Sequence, residues 1–125
     1  MSEENKRAAI AYFEKAINEF DTDTAIALHG GKHYKQHNPL IEDDWAGLKK
    51  FVGWLRDNHP EGRLHIKRAF ADGDFVLLHS EWVRTPGERG EAVVDIVRFE
   101  DGKIVEHWDV VQPIPENPKN NNTMF

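Results

Sequence analysis

The apolar residues of this chain change their period at Arg63, and no other feature constrains the fold as much. Upstream, Ile10, Phe13, Ile17 and Phe20 recur at spacings of three and four beside Ala9 and Ala16. That is the apolar stripe of a helix of about five turns. Ser2 is placed to cap it, and Glu3 and Glu4 sit where the helix dipole favours acid. Asp21-Thr22-Asp23-Thr24 then caps a short second helix through Ala25, Ile26, Ala27 and Leu28, which Gly30-Gly31 ends. After an irregular stretch from His33 to Pro39, a third helix begins near Asp43 or Asp44. It carries Trp45, Leu48, Phe51, Val52 and Leu55, and Asn58-His59-Pro60-Glu61-Gly62 stops it.

Downstream of Arg63, residues 64–70, 75–84, 91–99 and 103–112 are rich in Val, Ile, Leu, Phe and Trp and read as strands. Asp72-Gly73-Asp74, residues 85–90 and Asp101-Gly102 separate them as hairpin turns. Asp101-Gly102 is the strongest of these signals because both residues accept positive φ at low cost. Three helices followed by four consecutive antiparallel strands predict an α+β domain with its helices on one face of a sheet. We expect one domain over residues 1–112. Residues 113–125, with three prolines and four asparagines, are expected to form an extended arm.

Composition narrows the chemistry. Seven Phe, four Trp and two Tyr among 125 residues supply a core without a covalent staple. The absence of Cys excludes disulfides, thiolate nucleophiles and Cys-ligated zinc. A net charge of -6 with scattered basic residues argues against nucleic acid as a partner. No apolar run approaches the roughly 20 residues that span a bilayer, and the polar N-terminus lacks the order of a signal peptide, so a cytoplasmic address and no membrane partner are expected.

Polar groups within apolar strand rows are the candidates for function, since an unpartnered buried carboxylate or imidazole is costly. Strand parity places Asp95 in the row of Val93, Val97 and Phe99, and His107 and Asp109 in the row of Val105 and Val111. Ile104, Glu106, Trp108 and Val110 form the opposite row. His79 and Glu81 share a row with Phe75, Leu77 and Val83. A carboxylate in apolar surroundings favours its acid form, and an imidazole beside it exchanges protons near neutral pH, as enolisation, aldol closure or hydrolysis requires. Pairing of these acids with Arg98, Arg84 or a His is the structural alternative.

Several segments together resemble the SnoaL-like polyketide cyclase family of the nuclear transport factor two superfamily. They are Tyr34-Lys35-Gln36-His37-Asn38-Pro39, residues 94–109 with the sequence VDIVRFEDGKIVEHWD, and Gln112-Pro113-Ile114-Pro115. The resemblance covers nearly the whole chain. It implies a cone-shaped fold in which the three N-terminal helices pack on a strongly bent, mainly antiparallel sheet, with a pocket inside the cone and a homodimer formed through the sheet's outer face. It further implies aldol, isomerase or lyase chemistry without metal or cofactor. Asp109 matches the family's general acid/base. The partner position on the neighbouring strand, histidine in the antibiotic-pathway cyclases, is Asp95 here, so two acids would share protons. The amide-bearing substrate positions correspond to Gln36-His37-Asn38.

The residues expected at the site are therefore Asp109, Asp95 and His79 for catalysis, with His37, Asn38, His107 and Trp82 binding a small hydrophobic substrate. Two other readings stay open, a noncatalytic small-molecule binder and water addition in the epoxide-hydrolase manner. The second needs an Asp/Arg/Asp set, and the parity of Arg98 points away from Asp95. A metal centre is conceivable from the four-residue spacing of His33 and His37 with His107-x-Asp109, but the loop gives that spacing no helical geometry, and no metal is expected.

Overall fold

The computed structural model describes residues 2–125. Helix α1 spans Ser2–Phe13 and runs into a π-helical turn, Glu14–Asn18; α2 spans Thr22–His29 and α3 Asp44–Asn58. The strands are β1 Gly30–Gln36, β2 Arg63–Asp72, β3 Phe75–Val83, β4 Glu91–Glu100 and β5 Lys103–Pro113. They form one curved, unclosed sheet in the order β1-β5-β4-β3-β2. The α+β class, the three helices and the predominance of antiparallel pairing agree with expectation.

The strand count does not. Residues placed in an irregular stretch contribute β1, an edge strand parallel to β5 that makes the sheet mixed. Its sequence, Gly-Gly-Lys-His-Tyr-Lys-Gln, has one buried side chain, Tyr34, and two residues that strands usually avoid, so no alternation is visible. The glycines answer to packing instead. A Cβ on Gly30 would lie 2.8 Å from the Trp45 ring, and one on Gly31 would lie 2.7 Å from Val105.

Local chemistry explains the element ends. Asp21 caps α2, accepting from the Thr24 N–H at 3.1 Å, and Asp43 caps α3, accepting from the Asp44 N–H at 2.8 Å. Asp101 and Gly102, with φ of 49° and 76°, make the expected tight hairpin turn. Ser2 is already helical, and its Oγ reaches towards the Gly73 carbonyl at 3.5 Å in place of a capping bond. The predicted five-turn helix is interrupted because residues 14–18 take the π form. There Asn18 bridges both main-chain groups of Leu64, at 2.7 and 2.9 Å, and so ties the helix end to β2.

The core lies between the helices and the inner sheet face. It includes Tyr12, Phe13, Leu48, Leu55, Val76, Leu78, Val97, Phe99 and Ile104. Ile104, expected on the outer row with Trp108 and Val110, is fully buried. The register shifts where Phe99 pairs with Ile104 and Arg98 with Glu106, and this bulge reverses the facing of β5 on its two sides. On β3 the inner row is Val76, Leu78, Ser80 and Trp82, so the row that contains His79 faces outward. Both β3 rows are apolar, and parity alone could not choose between them.

Residues 114–125 contain no helix or strand. The Ile114 N–H bonds to the Gly90 carbonyl at 3.1 Å, and the chain ends against β2 and β3, with the Phe125 ring 5.6 Å from that of His79. Among the described residues, no helix is long and apolar enough to cross a membrane.

Candidate active site

A cavity of about 240 Å³ opens between the helices and the inner sheet face. Ile17, Phe51, Leu55, Trp54 and Trp82 make apolar wall, while Tyr12, Tyr34, Gln36, Asn38, Asp95, His107 and Asp109 gather polar groups in the same lining. Leu40, 90% exposed, stands at its edge.

The sheet register assembles the polar cluster. Asp95 of β4 pairs directly with Asp109 of β5, and His107 lies two residues before Asp109 on the same inward row. His107 Nε2 is 2.8 Å from Asp95 Oδ1 and 3.9 Å from Asp109 Oδ2. The imidazole therefore stands between two acids that sequence reasoning had set side by side. Asp95 and His107 are each 5% exposed.

Two amides fix where the protons are. Gln36 Oε1 accepts from the main-chain N–H of Asn38 at 3.0 Å, which identifies that atom as oxygen. The same oxygen lies 2.7 Å from His107 Nδ1. An amide oxygen only accepts, so Nδ1 carries a hydrogen. At 2.8 Å, Nε2 and the Asp95 carboxyl then hold one proton between them, because without it two lone pairs would face each other. Burial, the largest influence, raises the Asp95 pKa; the His107 hydrogen bond opposes that rise without cancelling it, and the nearby Asp109 adds to it.

Asp109 is treated differently. Asn38 Oδ1 accepts from the Leu40 N–H at 2.9 Å, which orients the amide, and Nδ2 donates to Asp109 Oδ1 and Oδ2 at 3.0 and 2.9 Å. A donor aimed at both oxygens favours the carboxylate. One acid shares a buried proton with His107, and both oxygens of its neighbour face the Asn38 amide.

Of the expected site residues, Asp95, Asp109, His107, Asn38 and Trp82 meet at this cavity. His79 and His37 do not. His79 projects from the outer face, where its Nδ1 contacts the Arg68 guanidinium, which also holds the Phe125 carbonyl. His37 follows the last residue of β1, beyond the row that points inward. Its ring stacks on Trp108 at 4.7 Å, and its Nε2 lies 2.6 Å from Glu106. Burial alone would raise the Glu106 pKa, but hydrogen bonds from His37 and Arg98 outweigh it and lower that pKa. Arg98 bonds Glu106 and Glu100, each at 2.9 Å, and so joins no Asp/Arg/Asp set.

Metal ligation was expected nowhere, and the conceivable pairing of His33 with His37 does not form, since His33 is exposed and His37 is committed to Glu106. Asp95, His107 and Asp109 do offer ligand atoms within 4.8 Å of one another. An ion there would have to displace the proton shared by Asp95 and His107.

Sequence reasoning missed Tyr12 and Tyr34. Tyr12 lies on the helix face of Ala9, Phe13 and Ala16, and a Tyr on such a buried face, with a polar tip to satisfy, was the available signal. Tyr34 stacks on Trp45 at 4.0 Å and accepts from Gln36 Nε2 at 3.1 Å. Burial, first of all, holds its hydroxyl well above the usual phenol pKa.

Comparison with known proteins agrees with this architecture. Residues 9–107 match the family model described as a SnoaL-like domain. A comparison with curated proteins finds no match. Among solved structures, AclR of Streptomyces galilaeus, a candidate hydroxylase, is 25% identical with a TM-score of 0.73, over 90% of this chain and 91% of its own. A candidate polyketide cyclase from Bacillus cereus is 20% identical with a TM-score of 0.73, over 86% and 74%. A candidate ketosteroid isomerase from Kribbella flavida is 17% identical with a TM-score of 0.72, over 99% and 89%.

Proposed function

The chain belongs to the SnoaL-like family, and from that premise we propose that it is a small enzyme moving protons on a hydrophobic, carbonyl-containing molecule, by aldol closure, isomerisation or related lyase chemistry. The observation that carries this reading is His107 Nε2, 2.8 Å from one acid and 3.9 Å from the other in the wall of an aromatic cavity.

Asp109 acts as the base. A carboxylate held by Asn38 removes a hydrogen from the carbon beside the carbonyl; the C–H pair becomes the enolate π bond, and Asp109 becomes a carboxylic acid. In an isomerisation Asp109 returns that proton to another carbon. In an aldol closure the enolate carbon attacks a second carbonyl, and the new alkoxide takes the proton from Asp109. The Asn38 amide, donating to both oxygens of Asp109, fixes the orientation of that carboxyl for the transfer. Apolar walls keep the enolate from bulk water.

The second copy implied by the fold would sit on the outer sheet face. Phe70, Phe75 and Val110 are 59%, 44% and 67% exposed there and, with Leu77, Ile96 and Trp108, line an apolar groove of about 650 Å³. A homodimer that covers this groove is part of the proposal.

The experiment compares turnover with binding in Asp109→Asn across a panel of aromatic ketones and enones. We expect turnover to vanish while affinity stays within about threefold, because shape is kept and proton transfer alone is lost. Unchanged turnover would remove Asp109 from the mechanism. Absence of turnover in the wild type, with binding intact, would favour a noncatalytic binder.

A further inference from the structure

Among the described residues, the cavity lining includes a single Lys or Arg, Arg84, and the sheet sets it at the end away from the acids. Side chains alternate between the two sheet faces, so Arg84 follows Trp82 on the inner side just past β3, and Glu91 opens the inner row that runs through Val93 to Asp95 on β4. At about 3.3 Å per residue, the four steps from Glu91 to Asp95 put the two ends roughly 13 Å apart. Arg84, Trp54 and Val111 line the cavity yet stay about half exposed, which marks this end as its mouth.

The guanidinium is lightly held. Its Nε lies 3.5 Å from Glu91 Oε1, longer than a good hydrogen bond, and among the described residues its Nη groups have no carboxylate partner. A second carboxylate can therefore join the first. Arg98 of the same sheet already takes two, Glu106 on Nε and Glu100 on Nη1, each at 2.9 Å. The deep end of the cavity does not suit an anion, because Asp95 and Asp109 stand there without Lys or Arg, and the His107 hydrogens serve Gln36 and Asp95. Trp82 and Val93, between the two ends, give a ring system an apolar floor. We propose that the ligand is a ring ketone with a carboxylate at its far end, gripped at the mouth by the Arg84 fork while the ketone faces Asp95 and Asp109. This rests on the cavity being the reaction site proposed above. A planar fork matches a carboxylate edge, whereas the second negative charge of a phosphate would be repelled by Glu91.

The probes are 6-carboxy-α-tetralone and the corresponding 6-carboxamide, which are alike in shape and differ in charge. Wild type should bind the carboxylate about three- to tenfold more tightly than the carboxamide at low salt, and the preference should fade by about 0.5 M salt. Arg84→Gln should erase the preference and keep carboxamide affinity within about twofold, while Glu91→Gln, which frees the guanidinium, should enlarge it. Glu91→Gln decides alone should Arg84→Gln not fold. A purely structural Arg84–Glu91 pair would instead lower the melting temperature alike in both variants and leave the preference as in wild type. That outcome, or a wild type with no preference, would overturn the assignment even where the ketone still exchanges its neighbouring hydrogens. Failure of both probes to bind the wild type would overturn it together with the cavity reading. A preference lost in Arg84→Gln, in a protein that exchanges no hydrogens beside the ketone, would sustain the grip and sink the catalytic reading alone.

Discussion

His107 Nε2 and Asp95 Oδ1 lie 2.8 Å apart and hold one proton, because Gln36 has already claimed the hydrogen on Nδ1. This buried pair gives the site a stored proton beside Asp109, whose two carboxyl oxygens accept from the Asn38 amide. The imidazole nitrogen shifts should accordingly report a hydrogen on Nδ1. A neutral His107 with a bare Nδ1 would refute this proton inventory.

Asp95 makes stability depend on pH in a direction opposite to that of a surface carboxylate. Its pKa is raised above that of an ordinary aspartate, chiefly by burial. A carboxyl with a raised folded pKa contributes stability that is complete below its unfolded pKa and is lost as pH climbs through the folded one. Wild type should therefore lose stability relative to Asp95→Asn as pH rises from about 4 through the folded value. Parallel melting curves of the two proteins over that range would mean that Asp95 is better solvated than its burial implies.

His37 and His79 have no direct part in the proposed chemistry. Each ring is engaged on the outer side of the sheet, His37 with Trp108 and Glu106 and His79 with Arg68 and Phe125. His37→Ala and His79→Ala should each keep proton-transfer rates within about threefold of wild type. A loss near a hundredfold in either variant would mean that the reaction does not occur in the inner cavity.

Assembly has its own test. The groove lined by Phe70, Phe75, Leu77, Ile96, Trp108 and Val110 leaves apolar surface bare in a single copy. Sedimentation at micromolar concentration should give twice the monomer mass of 14.4 kDa, and Trp108→Glu should return the monomer. The monomer mass for wild type would show that this face serves another purpose.

Much of this was legible in the sequence. The change of period at Arg63, the caps at Asp21 and Asp43 and the Asp101-Gly102 turn give the α+β order directly, because each is a local signal that tertiary contacts reinforce. Strand β1 was hidden, since an edge strand with one buried residue has no period to read. The position of Asp95 on an apolar row was readable, as was the shared parity of His107 and Asp109. The facing of His79 was not, because both β3 rows are apolar, and the bulge near Glu106 reversed Ile104 against the parity count. The bridge from Asp95 through His107 to Gln36 joins β4, β5 and β1, and no spacing along the chain encodes it.

Exchange of the hydrogens beside the carbonyl of α-tetralone for solvent deuterium, followed by NMR with the wild-type protein in excess deuterium oxide, reads the proposed proton transfer with no need to know the natural substrate. We expect uptake well above the buffer rate in the wild type and uptake at the buffer rate in Asp109→Asn. Bound α-tetralone that exchanges no faster than in buffer alone, or an Asp109→Asn protein that exchanges as fast as wild type, would contradict the assignment of this cavity as a proton-transfer site.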